Sequence, residues 1–207
     1  MRSDVSLAAA AVRVRASVVQ VRGGPGEAGG GAGISWRPSG LIVTSAHVVA
    51  GRRVTVVLPD RRAVSGEVIR RDTRRDLALV RAPGAALPAV RTADSRGLRP
   101  GTLLFAVGHP LGVRDAVSVG LFQATGPLPP GLRVPGMPPS LGWVQADLRL
   151  APGNSGGPLA DSEGRVVGVA AMVVAGLGLA VPAHEVEAFV ALAEAGHETA
   201  GRRPAFV

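Results

Sequence analysis

"RLAPGNSGGPLAD" (residues 149–161) sets one serine among three glycines and two prolines. Glycine tolerates backbone angles closed to other residues, and proline lacks an N–H and fixes φ. The run therefore reads as a constrained bend, neither helix nor strand. A hydroxyl on such a bend, Ser155, becomes a useful nucleophile only with a base in reach and a third group to orient the base. The chain has four histidines. His47 follows the apolar part of "LIVTSAHVVA" (41–50), and Asp76 opens the apolar "DLALV" (76–80). Each has an ordinary alternative. His47 reads as a half-buried histidine, and Asp76 as a turn or strand cap, a part that Asp60 or Asp72 would fill as well.

Composition bounds the rest. The 207 residues are 46% hydrophobic and 18% charged, an ordinary globule of one or two compact units. The absence of Cys excludes a disulfide scaffold, Cys-ligated zinc and a thiol nucleophile. The net charge is +8, and every basic residue is Arg. Doublets at 52–53, 61–62, 70–71 and 74–75 read as solvated strand ends and turns. A nucleic-acid partner is the sharper alternative, but no aromatic residue interleaves with the arginines between 52 and 99. No apolar run reaches the ~18–20 residues that span a bilayer. The N-terminal "MRSDVSLAAAAVRVR" has an apolar core of only 7–12, with Asp4 before it and Arg13 behind, a poor secretory signal. A cytoplasmic location is expected if Met1 is the true start, with export as the alternative. No metal-ligand spacing stands out, and no cofactor is implied.

Short Val, Leu and Ile runs recur between turn signals. After a possible helix at 8–14 and a strand in "SVVQVR" (17–22), the candidate strands are 40–44, 54–58, 63–70, 77–81, 103–107, 116–124, 143–146, 158–160, 166–173 and 179–181. Many short strands at near-regular spacing argue for an all-β barrel or sandwich. "GGPGEAGGGAG" (23–33) reads as a flexible loop. It is no phosphate-binding loop, since the chain has no Lys. Residues 83–101 are a candidate connection between two lobes. The six prolines of 126–142 exclude a strand there, and this segment is the expected mobile loop. A helix is expected over about 183–195, with Pro182 near its start and Gly196 at its stop.

His47, Asp76 and Ser155 together follow the chymotrypsin order of base, acid and nucleophile, and neither the subtilisin nor the α/β-hydrolase order. The glycines then have a purpose. The N–H groups of Gly153 and Ser155 must both point at the oxygen that gains charge during acyl transfer. "GNSGG" also fits the Gly-x-Ser-x-Gly elbow of an α/β-hydrolase. That elbow requires a helix after the serine, where this chain has Pro158, a turn and a strand.

"TSAHVV", "DLALV", "GHPLG" and "APGNSGGPL" resemble the HtrA/Deg family of chymotrypsin-like serine proteases. Gly31–Ile34 and Gly40–Thr44, which look like the family's approach to the catalytic His, "GRVVGVAAM" (164–172) and "GLAVP" (178–182) extend the resemblance over about 12–195. It implies an all-β fold of two six-stranded antiparallel barrels with a short C-terminal helix. One protease domain would fill 1–207, with a first lobe over about 12–90 and a second over about 100–182. It implies His47 as general base, Asp76 as its orienting carboxylate and Ser155 as nucleophile. Gly153, Asn154 and Ser155 would form the oxyanion loop, and Leu150, Ala170, Met172 and Gly178 would wall the primary specificity pocket. The implied activity is endoproteolysis of unfolded or damaged polypeptides, with no cofactor. An inactive, chaperone-like member of the same fold is the alternative.

The chain departs from the family in several places. It stops about where a PDZ domain would begin. No aromatic residue occurs in 1–35, where the family's trimer contacts lie, so a homo-oligomer of that kind is not supported. Arg149 stands where the family tends to have a small residue, and either prefers acidic P1 residues or points to solvent or to Asp147. His109 replaces the more usual Asn in "GHPLG". In a Pro-flanked turn without a nearby acid it reads as structural. His184 and His197 flank the late helix and read as capping or exposed groups.

Overall fold

β-branched side chains fit a pleated, half-buried surface, and the Val-rich runs build strands for that reason. A computed structural model of the protein describes residues 6–23, 30–128, 130–138 and 140–201, with backbone alone for 196–201. One barrel closes in the order β1 (Val18–Arg22), β2 (Gly30–Arg37), β3 (Leu41–Thr44), β6 (Leu77–Arg81), β5 (Ala63–Asp72) and β4 (Arg53–Val57). The other closes as β10 (Pro158–Asp161), β11 (Val166–Val174), β12 (Leu177–Pro182), β9 (Trp143–Asp147), β8 (Ala116–Gly126) and β7 (Leu103–Gly108). Neighbouring strands run antiparallel, and closure leaves neither sheet an unpaired edge.

Each barrel has its own apolar filling. Val19, Val21, Ile42, Val54, Val56 and Val80 pack inside the first, and Leu104, Phe122, Val144, Leu159 and Val167 inside the second. A third cluster joins the two lobes and the helices through Ile34, Trp36, Leu77, Phe105, Trp143 and Val169. The connector is fixed to the second lobe, where Val166 donates to the Arg91 carbonyl (2.7 Å) and Ala93 to the Val166 carbonyl (2.9 Å). The loop 127–142, between β8 and β9, carries no strand among its described residues. It folds around a cavity of about 320 Å³ lined by Leu128, Leu132, Val134, Met137 and Trp143.

Two expectations need correction. Residues 30–33 are not part of a flexible loop but the start of β2. A side chain at Gly33 would lie 2.8 Å from an Ile42 methyl and 2.9 Å from a Val21 methyl, so the strand needs a residue with no side chain. The glycines that look like loop residues are therefore a packing requirement. The late helix, α2 (Ala183–Gly201), does not stop at Gly196. Glycine inside a helix costs only about 1 kcal/mol relative to Ala, which does not force an end. Trp36 Nε1 donates to Glu187 (2.8 Å), and Arg37 binds both Glu187 and Glu194, clamping this helix to the first barrel. The His197 side chain lies outside the described residues.

The early helix, α1 (Leu7–Arg15), forms as expected. Ser6 caps it by accepting from Ala9 N–H, and it buries Ala10, Ala11 and Val14. Among the arginines of 52–99, Arg52, Arg62, Arg75 and Arg96 pair with Glu67, Asp60, Asp72 and Asp94. That matches the reading of solvated turns. No described helix is long and apolar enough to cross a membrane.

Phe105 is fully buried where α1, β7 and the inter-lobe cluster meet. Replacing it with Ala is expected to destabilise the fold by about 3–5 kcal/mol, read from the midpoint of chemical denaturation. A loss below about 1 kcal/mol would mean that this cluster does not hold the lobes together.

Candidate active site

His47 sits in a single 3-10 turn, Ala46–Val48, directly after β3. Asp76, in the tight turn between β5 and β6, holds that turn in place. Ala46 N–H donates to the Asp76 carbonyl (3.1 Å), and His47 N–H to Asp76 Oδ1 (3.0 Å). Asp76 has left-handed backbone angles (φ 55°), a region that aspartate tolerates better than most residues. Its buried carboxylate oxygens lie 2.8 and 2.9 Å from His47 Nδ1. A carboxylate at that nitrogen selects the tautomer with the proton on Nδ1 and leaves Nε2 with its lone pair. The hydrogen bond to Asp76 raises the His47 pKa above the ordinary 6.5, against the opposing effect of burial.

The serine loop of the second lobe is defined by what its carbonyls do. The Ala151 carbonyl accepts from Asn154 N–H (2.9 Å), Pro152 from Leu111 (2.9 Å), Gly153 from His109 (3.0 Å), Asn154 from Gly157 (2.9 Å) and Ser155 from Ala32 (2.8 Å). Among the described residues no peptide bond is cis, so in this loop each N–H points opposite to the carbonyl of the preceding residue. Among the described residues, the N–H groups of Gly153 and Ser155 have no partner. Gly153 has φ 107°, and a side chain there would lie 2.3 Å from the His109 carbonyl oxygen, so only glycine fits. Of the three residues expected in this loop, Asn154 supplies no free donor, because its N–H is engaged with Ala151.

The lobes meet at this loop. Beyond the Ala32 bond, Ser45 Oγ donates to the Ala170 carbonyl (3.3 Å), and the space at Gly156 is closed by Ala32 O and Thr44 Oγ1. Ser155 thus lies against the segment that leads into His47. Its hydroxyl donates to the Ala171 carbonyl (2.9 Å), and among the described residues it makes no hydrogen bond to His47. Ala32, Ala171 and Leu111 were missed in the sequence, since they act through main-chain atoms. Only the bare glycine at 31, where a side chain would lie 2.5 Å from the Ser155 carbonyl oxygen, marks the close approach.

The four expected pocket residues divide. Leu150 and Gly178 are adjacent: a side chain at 178 would meet a Leu150 methyl at 3.3 Å and a Leu148 methyl at 2.7 Å. Leu148, missed in the sequence, therefore occupies the space over Gly178. Ala170 is buried at the base of the serine loop, where its carbonyl takes the Gly156 N–H, and Met172 is half-buried further along β11. Arg149 is exposed and, among the described residues, makes no ion pair with Asp147. His109 is buried, and, contrary to the expectation of a turn without a nearby acid, one is present. Asp115 Oδ1 lies 3.9 Å from Nδ1, and Asp115 N–H donates to Nδ1 (3.2 Å). His184 is half-buried beside Ser95 (3.4 Å) and Asp94 (3.9 Å). Among the described residues no acidic or histidine cluster is suited to a metal ion.

Residues 31–169 match the family model of the trypsin-like peptidase domain. A Synechocystis protein named as the serine protease HhoB is 38% identical over 162 residues, 76% of this chain and 38% of its own length. A Marinomonas protein named as a DegP-like periplasmic serine endoprotease is 38% identical over 141 residues, 67% of this chain and 29% of its own length. The chain thus spans well under half of the curated relatives it matches. Among solved structures, the HtrA-type protease AlgW with a tripeptide superposes with a TM-score of 0.82 at 30% identity, over 92% of this chain and 64% of that one. The same protease with a decapeptide gives 0.79 at 25% identity, over 91% and 67%.

The geometry fixes the sign of one titration. The His47 imidazole is expected to titrate above 6.5 by NMR, and Asp76→Asn to lower that midpoint, because the anionic partner is gone. An unchanged midpoint would show that Asp76 does not govern the imidazole.

Proposed function

The chain belongs to the trypsin-like peptidase domain family, and from that premise we propose that it is a serine endopeptidase acting through a covalent acyl-enzyme. The observation that carries this reading is the Asp76–His47 contact together with a serine loop whose Gly153 and Ser155 N–H groups have no partner among the described residues. Ser155 Oγ leaves the Ala171 carbonyl by a change of χ1 rotamer and hands its proton to His47 Nε2 as it attacks the scissile carbonyl carbon. The Gly153 and Ser155 N–H groups take the charge that develops on the carbonyl oxygen. Asp76 stabilises the imidazolium, which then protonates the leaving amine. Water repeats the sequence with His47 as base and frees the acid product and the serine.

The substrates we propose are unfolded polypeptide segments, since attack requires an extended main chain in the cleft between the lobes. Leu150, Met172 and Gly178, with Leu148 behind them, favour a small aliphatic P1 residue. Arg149 turns to solvent and does not select an acidic one. The relatives named periplasmic favour export over the cytoplasmic expectation.

The test is cleavage of reduced, unfolded casein by the wild type and by Ser155→Ala and His47→Ala. Both variants are expected to lose about 10⁴–10⁶-fold in kcat/KM. Mass spectrometry of the fragments is expected to find small aliphatic residues on the acyl side of each cut. Equal cleavage by wild type and Ser155→Ala would place the activity elsewhere. A wild type that binds casein and suppresses its aggregation without cutting would favour the inactive, chaperone-like alternative.

A further inference from the structure

His109 is a buried titratable group that the proposed chemistry does not use. It opens the turn 109–115, which packs beneath the serine loop. Two main-chain bonds join them: His109 N–H to the Gly153 carbonyl (3.0 Å) and Leu111 N–H to the Pro152 carbonyl (2.9 Å). The second decides the site. With the Pro152 carbonyl held by Leu111, the trans peptide leaves the Gly153 N–H pointing the opposite way, free of any partner. Release of Leu111 would let that peptide rotate and withdraw one of the two donors.

The turn that presents Leu111 is not restful. Leu111 (φ 51°) is a non-glycine residue in left-handed backbone, a conformation that persists only where the surroundings enforce it, and Asp115 (φ 57°), of a type that tolerates the region better, shares it. Two contacts enforce it at the far end. Asp115 N–H donates to His109 Nδ1 (3.2 Å), and the Asp115 carboxylate takes Arg15 Nη2 of α1 (3.1 Å). The His109 ring, almost fully buried, therefore ties the end of the turn back to its start. It does so only while Nδ1 keeps its lone pair, that is, while the ring is neutral with its proton on Nε2.

We propose that His109 is the positioning residue of the Gly153 donor, and that a proton on Nδ1 opens the 109–115 turn and releases that donor. This rests on the serine-peptidase reading for its catalytic consequence, but not for the coupling itself. The groups that act on the ring come from three elements. Asp115 and Arg114 belong to its own turn, Arg22 and the Val19 carbonyl to β1, and Arg15 of α1 acts by holding Asp115. Burial lowers the His109 pKa most. The Asp115 carboxylate and the Val19 carbonyl oppose that, and Arg114 and Arg22 add to it. The imidazole of His47 is shifted upward, so the two protons arrive in sequence as the pH falls: His47 above 6.5, then His109 below it.

The test has two arms. In the first, NMR of the wild type follows the His109 ring and the amides of Leu111, Gly153 and Asp115 from neutral to acid pH. The three amides are expected to shift with the midpoint of the ring. In His109→Asn, whose Oδ1 can accept from Asp115 N–H but cannot titrate, that step is expected to vanish. In the second arm, the slope of log kcat/KM against pH is expected to steepen from one to two below the His109 midpoint in the wild type. It is expected to stay at one in His109→Asn. Amides that ignore the His109 titration, or a second step that survives in the Asn variant, would overturn the proposal. Coupled amides in a protein with no turnover would uphold it and overturn the peptidase reading instead. Should His109→Asn fail to fold, the wild-type titration decides alone.

Discussion

Five consecutive carbonyls, from Ala151 to Ser155, each accept a main-chain hydrogen bond, and peptide planarity turns that pinning into an aimed pair of donors. A net main-chain hydrogen bond is worth about 1 kcal/mol. One donor aimed at a developing oxyanion is worth about 2.7–4 kcal/mol of barrier. In the proposed reaction, several weak ties are thus converted into one strong and directional effect. The conversion depends on geometry that glycine at 153 permits and any side chain would block.

The partners of those carbonyls are drawn from three places. Asn154 and Gly157 belong to the loop, Leu111 and His109 to the turn after β7, and Ala32 to the other barrel. The last contact explains why the two lobes cannot be treated separately. His47 and Asp76 are set by β3 and the turn before β6, and Ser155 by the bend before β10. The Ala32–Ser155 and Ser45–Ala170 bonds align the two halves. The large shared cluster around Trp36, Phe105 and Trp143 gives that alignment its stiffness.

Much of this was legible in the chain. Val-rich alternation located the strands apart from β2, because side-chain pattern is the signal that strands leave. The residues proposed to act through side chains, His47, Asp76 and Ser155, were named from type and order. Apart from Leu148, whose side chain fills the space over Gly178, what stayed hidden acts without a side chain. β2 begins with glycines that are required by the close approach of Val21 and Ile42, contacts made by residues distant in sequence. Ala32, Leu111 and Ala171 contribute an N–H or a carbonyl, which every residue but proline has in full, so their identity carries no mark. Asp115 lay six residues from His109, yet a linear reading could not show that the turn folds its N–H onto the ring. The end of α2 was misplaced because Gly196 is a weak stop, costing only about 1 kcal/mol relative to Ala inside a helix.

The account stands on a single activated hydroxyl at Ser155, and its direct measure is stoichiometric labelling. A phosphonofluoridate forms a stable bond to an activated serine oxygen with loss of fluoride. The wild type is expected to take up one equivalent, mapped by mass spectrometry to Ser155, and His47→Ala to take up almost none on the same timescale. Adducts at other residues, or uptake at Ser155 that ignores the loss of His47, would contradict it.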